Sequence, residues 1–108
     1  MRILFPTAEV APYSKTGGLA DVAAALPRAL ARLGHEVLVV TPWYQTVRSE
    51  PAPYWIGDVQ VPFAGGFDTV GVGTLESSGV RYAFVGHPDY GRDRPYGNAD
   101  DVRRFARF

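Results

Sequence analysis

Lys15-Thr16-Gly17-Gly18 sets a compact positive charge, a hydroxyl and two positions without side chains in consecutive order. Lys15 is the only lysine; every other side chain of the Lys/Arg class is arginine. An ammonium beside paired glycines suits an anion, because backbone N–H groups can come close where a side chain would block them. From Leu19 the pattern is helical, so the unpaired N–H groups of a first helical turn point at the same place. A phosphate or pyrophosphate fits that chemistry. The motif is neither Gly-x-x-x-x-Gly-Lys-Ser/Thr nor Gly-x-Gly-x-x-Gly. A Gly-Gly pair before a helix also serves as a plain tight turn, and from these residues both readings stand. Glu9, in the loop upstream, reads equally as a solvated carboxylate or as part of the site. Asp21 falls in the first helical turn, where a carboxylate complements the helix dipole.

Other groups carry less. His35 and His87 are the only histidines, and neither has metal-ligand neighbours in sequence. His35 is expected to cap or pack beside Gly34. No Ser-His-Asp order stands out. Asp89, Asp93, Asp100 and Asp101 read mostly as caps and loop charge. Arg92 and Arg94 can reach a phosphate or order their own loop. Trp43, Tyr44, Tyr90 and Tyr96 follow strands, where aromatic rings either stack on sugars or fill the rim of a sheet.

The elements that must position these groups begin with Ile3-Leu4-Phe5, an uninterrupted apolar run expected to be a strand covered on both faces. Leu19, Val22, Ala23, Leu26, Leu30 and Leu33 recur at spacings of three and four and form one apolar stripe. Ala20, Ala24, Ala25, Ala29 and Ala31 add helix propensity and a slim profile for close packing. Pro27 removes one hydrogen bond and should kink the helix rather than end it, since the stripe resumes in phase. Gly34 closes the helix as a left-handed cap. Glu36-Val37-Leu38-Val39-Val40-Thr41 is a second strand, stopped by Pro42. Strand, helix and strand within 45 residues make a βαβ unit with parallel strands. Residues 43–53 read as a surface loop. Strands are then expected at 57–63, around Val70 to Leu75, and at 80–85, with turns at Gly65-Gly66 and Ser77-Ser78-Gly79. At least one hairpin follows, so the sheet is mixed. Residues 86–97 form a polar, aromatic loop, and Asn98 caps a last helix whose apolar face, Val102, Phe105 and Ala106, is cut off mid-pattern at Phe108. That ending implies a fragment of a longer protein.

Composition narrows the field. The length of 108 residues allows one domain. Eleven acidic and eleven basic residues leave no overall field for nucleic acid or a membrane surface. The absence of cysteine removes disulfides and thiolate metal sites. No run approaches the roughly 20 apolar residues of a bilayer span. A cytoplasmic α/β domain is the expectation.

Several stretches together resemble the amino-terminal end of bacterial glycogen and starch synthases. They are Glu9-Val10-Ala11-Pro12, Lys15-Thr16-Gly17-Gly18-Leu19-Ala20-Asp21-Val22, Ala25-Leu26-Pro27, Leu33-Gly34-His35-Glu36-Val37 and Pro42-Trp43-Tyr44. Val61-Pro62-Phe63, the strand at 80–85, residues 88–97 and Arg104-Phe105 extend the likeness over nearly the whole chain. The resemblance implies a retaining glucosyltransferase of the two-Rossmann-domain type, moving glucose from ADP-glucose to the non-reducing end of an α-1,4-glucan. Residues 1–108 would then be the first part of the N-terminal domain, a Rossmann-like three-layer α/β unit with a hairpin insertion. The resemblance places the donor phosphates at Lys15, Thr16, Gly17 and Gly18, and sets Glu9, Asp21 and Tyr96 on the sugar and acceptor side. It calls for no metal and no cofactor beyond the donor. The family's catalytic histidine, its Arg/Lys pair and its glutamate correspond to positions past residue 108, so the chain alone should be inactive. A truncated glucan- or nucleotide-binding module is the competing reading, and UDP-glucose the competing donor.

Overall fold

The computed structural model describes residues 1–44, 47 and 52–90. β1 (Arg2–Pro6), α1 (Gly18–Arg32) and β2 (Glu36–Pro42) form the expected unit, with β1 and β2 parallel and Ile3 opposite Val37, Phe5 opposite Val39. β3 (Tyr54–Phe63), β4 (Gly66–Ser77) and β5 (Val80–Gly86) follow, then a short 3-10 turn at Pro88–Tyr90. β5 joins β2 in parallel, while β4 pairs antiparallel with both β5 and β3. The result is one mixed sheet of order β1-β2-β5-β4-β3. Among the described residues no helix is long and apolar enough to cross a membrane.

The insertion holds two hairpins. Each closes through a two-residue loop with both residues at positive φ: Ala64 and Gly65 at 52° and 79°, Ser78 and Gly79 at 53° and 76°. Such turns match the right-handed twist of the strands they join. β3 begins at Tyr54, earlier than its alternation suggests, because the register shifts between Trp55 and Gly57 and breaks the period of two. Ala64 bears a β-carbon in a left-handed conformation, which is unfavourable by about 1 kcal/mol. Ala64→Asn should therefore raise the chain's stability by roughly 0.5–1 kcal/mol, read as a higher urea midpoint at unchanged slope.

α1 lies on the face of the sheet that carries Val37, Val39, Tyr82 and Phe84, all buried. Its phase differs from the expected stripe. Ala20, Ala23, Ala24 and Pro27 are buried, whereas Leu19, Val22, Leu26 and Leu33 are exposed. The period was legible, but the helix is turned by about one residue, some 100°. The facing side chains explain it: Tyr82 and Phe84 are large, so the slim alanine face lets helix and sheet approach. Leu4 of β1 is also exposed, so the expected cover on both faces is found on one among the described residues. The helix continues through Pro27 to Arg32. It ends as expected at Gly34, φ 92°, with Gly34 N–H donating to the Ala31 carbonyl and His35 N–H to that of Leu30.

Candidate functional site

Residues 7–17 leave the carboxyl end of β1 and return to the start of α1, beside the ends of the parallel strands. This is the usual crevice position in an open α/β sheet. The loop is tied down along its length. Thr7 N–H donates to the Val40 carbonyl at 2.9 Å, continuing the sheet by one residue. Ser14 N–H donates to the Val10 carbonyl at 2.9 Å, and Ala11 N–H to that of Ala20 at 3.1 Å. Tyr44 reaches across from the end of β2, its hydroxyl donating to the Ala8 carbonyl at 2.7 Å. The Tyr13 ring packs edge-on against Tyr82 and Phe84, with centroids 5.2 and 5.3 Å away. Burial raises the Tyr13 phenol above its usual value, so the hydroxyl stays neutral beneath the loop.

Glu9 is the centre of this arrangement and is only 1% exposed. Its Oε2 accepts from Thr16 N–H at 2.8 Å and from Thr16 Oγ1 at 2.6 Å. Oε1 accepts from Ala20 N–H at 3.2 Å, in the first turn of α1. The solvated reading of Glu9 is thereby overturned. Gly17, at the N-cap position, offers no side chain to the helix. Glu9, eleven residues upstream of Ala20, supplies the acceptor that a Ser or Asp cap ordinarily would. Thr16 gives both its N–H and its hydroxyl to the same carboxylate. No local sequence pattern signals this, since capping motifs operate within three residues.

Lys15 and Asp21 stand above this clamp, 53% and 59% exposed. The ammonium contacts both carboxylate oxygens, at 2.8 and 2.9 Å. Gly17 and Gly18 lie between clamp and solvent. A β-carbon on either would meet nothing within 4 Å, and neither has positive φ. Among the described residues the N–H groups of Gly17, Gly18 and Leu19 have no acceptor. Three free donors thus open to solvent beside the Lys15 ammonium. A shallow depression of about 460 Å³ begins at Asp21, lined also by Ala11, Pro12, Ala24, Ala25 and Arg28.

The structure therefore brings Glu9, Lys15, Thr16, Gly17, Gly18 and Asp21 together. Tyr96 lies outside the described residues, as do Arg92, Asp93, Arg94 and the expected last helix. The aromatic residues resolve towards the rim reading. Tyr44 and Tyr90 are buried and meet edge to face at 6.4 Å, and Trp43 packs beside Phe84 at 6.0 Å. Among the described residues no group of three His, Asp or Glu side chains is placed to hold a metal ion.

A family model of the starch synthase catalytic domain matches residues 2–108. The chain belongs to that family. Over all its 108 residues it is 43% identical to a glycogen synthase of Deinococcus deserti, and 39% identical to one of Thermus thermophilus. The chain spans 23% and 24% of those relatives' lengths. Among solved structures it superposes on the catalytic domain of starch synthase IV from Arabidopsis thaliana bound to ADP and acarbose. The TM-score is 0.87 at 32% identity, covering 96% of this chain and 22% of that one. The likeness to that catalytic domain thus extends over the mixed sheet with its hairpins as well as the βαβ unit.

Proposed function

We propose that the chain supplies the donor-phosphate wall of a glycogen or starch synthase. That enzyme transfers glucose, with retention, from ADP-glucose to the non-reducing end of an α-1,4-glucan in the cytoplasm. The observation that carries this reading is the pair Gly17-Gly18. Neither its dihedral angles nor its surroundings require glycine, yet a side chain there would stand over three unpaired N–H groups. What the glycines make room for is therefore not among the described residues. The relatives' activity and the ADP bound to the Arabidopsis neighbour support a nucleotide diphosphate as that occupant.

When the bond between the glucosyl carbon and the phosphate oxygen breaks, negative charge accumulates on the departing diphosphate. Lys15 and the Gly17, Gly18 and Leu19 N–H groups are fixed donors aimed at that charge, and preorganised donors lower the barrier more than mobile water does. Lys15 must leave Asp21 to engage the phosphates. Asp21 then borders the depression beside α1, on the sugar and acceptor side. This wall binds and polarises the donor; the groups that attack the sugar stand elsewhere in the enzyme.

Gly18→Ala tests the reading in the complete synthase that carries this sequence. Alanine at the first helical position should leave the fold equally stable or more stable by up to about 1 kcal/mol. The kcat/KM for ADP-glucose should nonetheless fall by at least about tenfold, as expected when a ligand contact of more than 1.4 kcal/mol is lost. Full activity in this variant, or in Gly17→Ala, would falsify the phosphate site.

A further inference from the structure

We infer that Glu9 is a positioning residue for donor binding: a buried carboxylate that holds the Lys15-Thr16-Gly17 loop and the first turn of α1 in one geometry without itself touching the donor. This rests on the phosphate site proposed above and assigns what shapes it. Three observations carry the assignment. Glu9 is 1% exposed, so a ligand arriving from solvent meets Thr16 and Gly17 before it meets the carboxylate. Both its oxygens are engaged, Oε2 by two donors from Thr16 and Oε1 by Ala20 N–H. Its own carbonyl is fixed as well, accepting the Thr7 hydroxyl at 2.8 Å.

The bonding has a consequence for the anion site. A helix N-terminus presents several unpaired N–H groups, and an incoming phosphate can in principle take any of them. Here Glu9 occupies the Ala20 N–H and the Thr16 N–H. The donors left open are those of Gly17, Gly18 and Leu19, bracketed by the two that Glu9 holds. The carboxylate thus selects which N–H groups face the ligand and keeps an anion from settling deeper in the turn. Its negative charge beneath the loop is offset by the hydrogen bonds and the helix dipole. A glutamine at this position offers one carbonyl oxygen and an NH2. The NH2 would point a donor at either Ala20 N–H or the Thr16 donors, so one side of the clamp opens.

The experiment compares ADP with ADP-glucose as calorimetric probes on the complete synthase carrying this sequence. Glu9→Gln should weaken both ligands by the same factor, about tenfold or more, because the phosphate cradle they share is displaced. The KM for glycogen should stay within about twofold of wild type. A loss confined to ADP-glucose, with ADP unchanged, would overturn the inference and place Glu9 against the sugar. Unchanged affinity for both ligands would overturn it too. If Glu9→Gln does not fold, the Thr16 pair decides. Thr16→Val removes the 2.6 Å hydroxyl bond and should weaken ADP several-fold, while Thr16→Ser, which keeps the hydroxyl, should rescue most of that loss. Equal ADP affinity in Thr16→Val and wild type then refutes the clamp. Failure of the phosphate site itself looks different: wild-type enzyme would bind ADP no more tightly than Lys15→Ala.

Discussion

Lys15→Ala in the complete synthase should lower kcat/KM for ADP-glucose by about two- to a hundred-fold and move the thermal midpoint little. The range follows from two opposing terms. A hydrogen bond to a charged group is worth about 1.5–3 kcal/mol. Lys15, however, pairs with Asp21 in the structure, and donor binding must give that pair up. Both side chains are more than half exposed, and exposed pairs contribute only about 0.2–1 kcal/mol. The difference, roughly 0.5–2.8 kcal/mol, sets the rate ratio at about 1.36 kcal/mol per tenfold. The same weakness of the exposed pair is why the fold should hardly notice the substitution. Because the lost interaction is with a diphosphate, the defect should shrink as salt rises and screens the wild-type contact. Lys15→Arg should recover only part of the activity, since a planar guanidinium fork on a longer side chain does not reproduce the place of a compact ammonium beside Asp21. A stability loss as large as the activity loss would make Lys15 structural and leave the phosphates to the backbone alone.

What was legible in the sequence divides along a physical line. β1, α1, β2 and the turn at Ser78-Gly79 are local facts: apolar runs, spacing of three and four, and Gly79 or Gly34 where positive φ is needed, whereas the turn expected at Gly65-Gly66 lies one residue earlier, at Ala64-Gly65. They could be read because neighbours in sequence decide them. The phase of α1 could not be, because two apolar faces compete on one helix. Which is buried depends on Tyr82 and Phe84, some 60 residues downstream. Glu9 illustrates the same limit at the site. Its type and position marked it for attention, but a carboxylate in a loop looks alike whether it faces water, sugar or Ala20 N–H. Only the return of the chain at Ala11 and Ala20 encloses it. The bulge at Trp55 and Gly57 hid the first residues of β3 for a comparable reason, since a register shift erases the alternation by which strands are recognised.

Gly73→Ala should show the reverse of Gly18→Ala, a fold weakened by about 2–3 kcal/mol. Gly73 lies in the middle of β4, paired with Phe84 on one side and Trp55 on the other. A β-carbon there would run into the six-membered ring of Trp43. That ring has little freedom to yield. Its backbone N–H donates to the Val85 carbonyl at 2.7 Å, and the ring packs beside Phe84, itself fully buried, and over Gly86. Forcing extra volume into a packed site costs about 1–3 kcal/mol, and the upper part of that range applies where the neighbour is a ring rather than a flexible end. Urea unfolding of the chain, followed by tryptophan fluorescence, measures the loss. Trp43→Leu in the same background separates collision from any intrinsic effect of alanine in the strand. The double variant should be more stable than the sum of the single losses predicts, by at least about 1 kcal/mol, since touching residues couple. Strict additivity would mean that Trp43 and position 73 do not collide. The effect also reaches the site, because the residue after Trp43 is Tyr44, whose hydroxyl holds the Ala8 carbonyl directly before Glu9. Pushing Trp43 aside pulls on that anchor. ADP affinity should therefore fall in Gly73→Ala even well below its unfolding transition, and recover in the double variant if the Tyr44 anchor returns. On the proposed reading one glycine serves the ligand and the other the fold, and only the second should lower the midpoint of a melting curve.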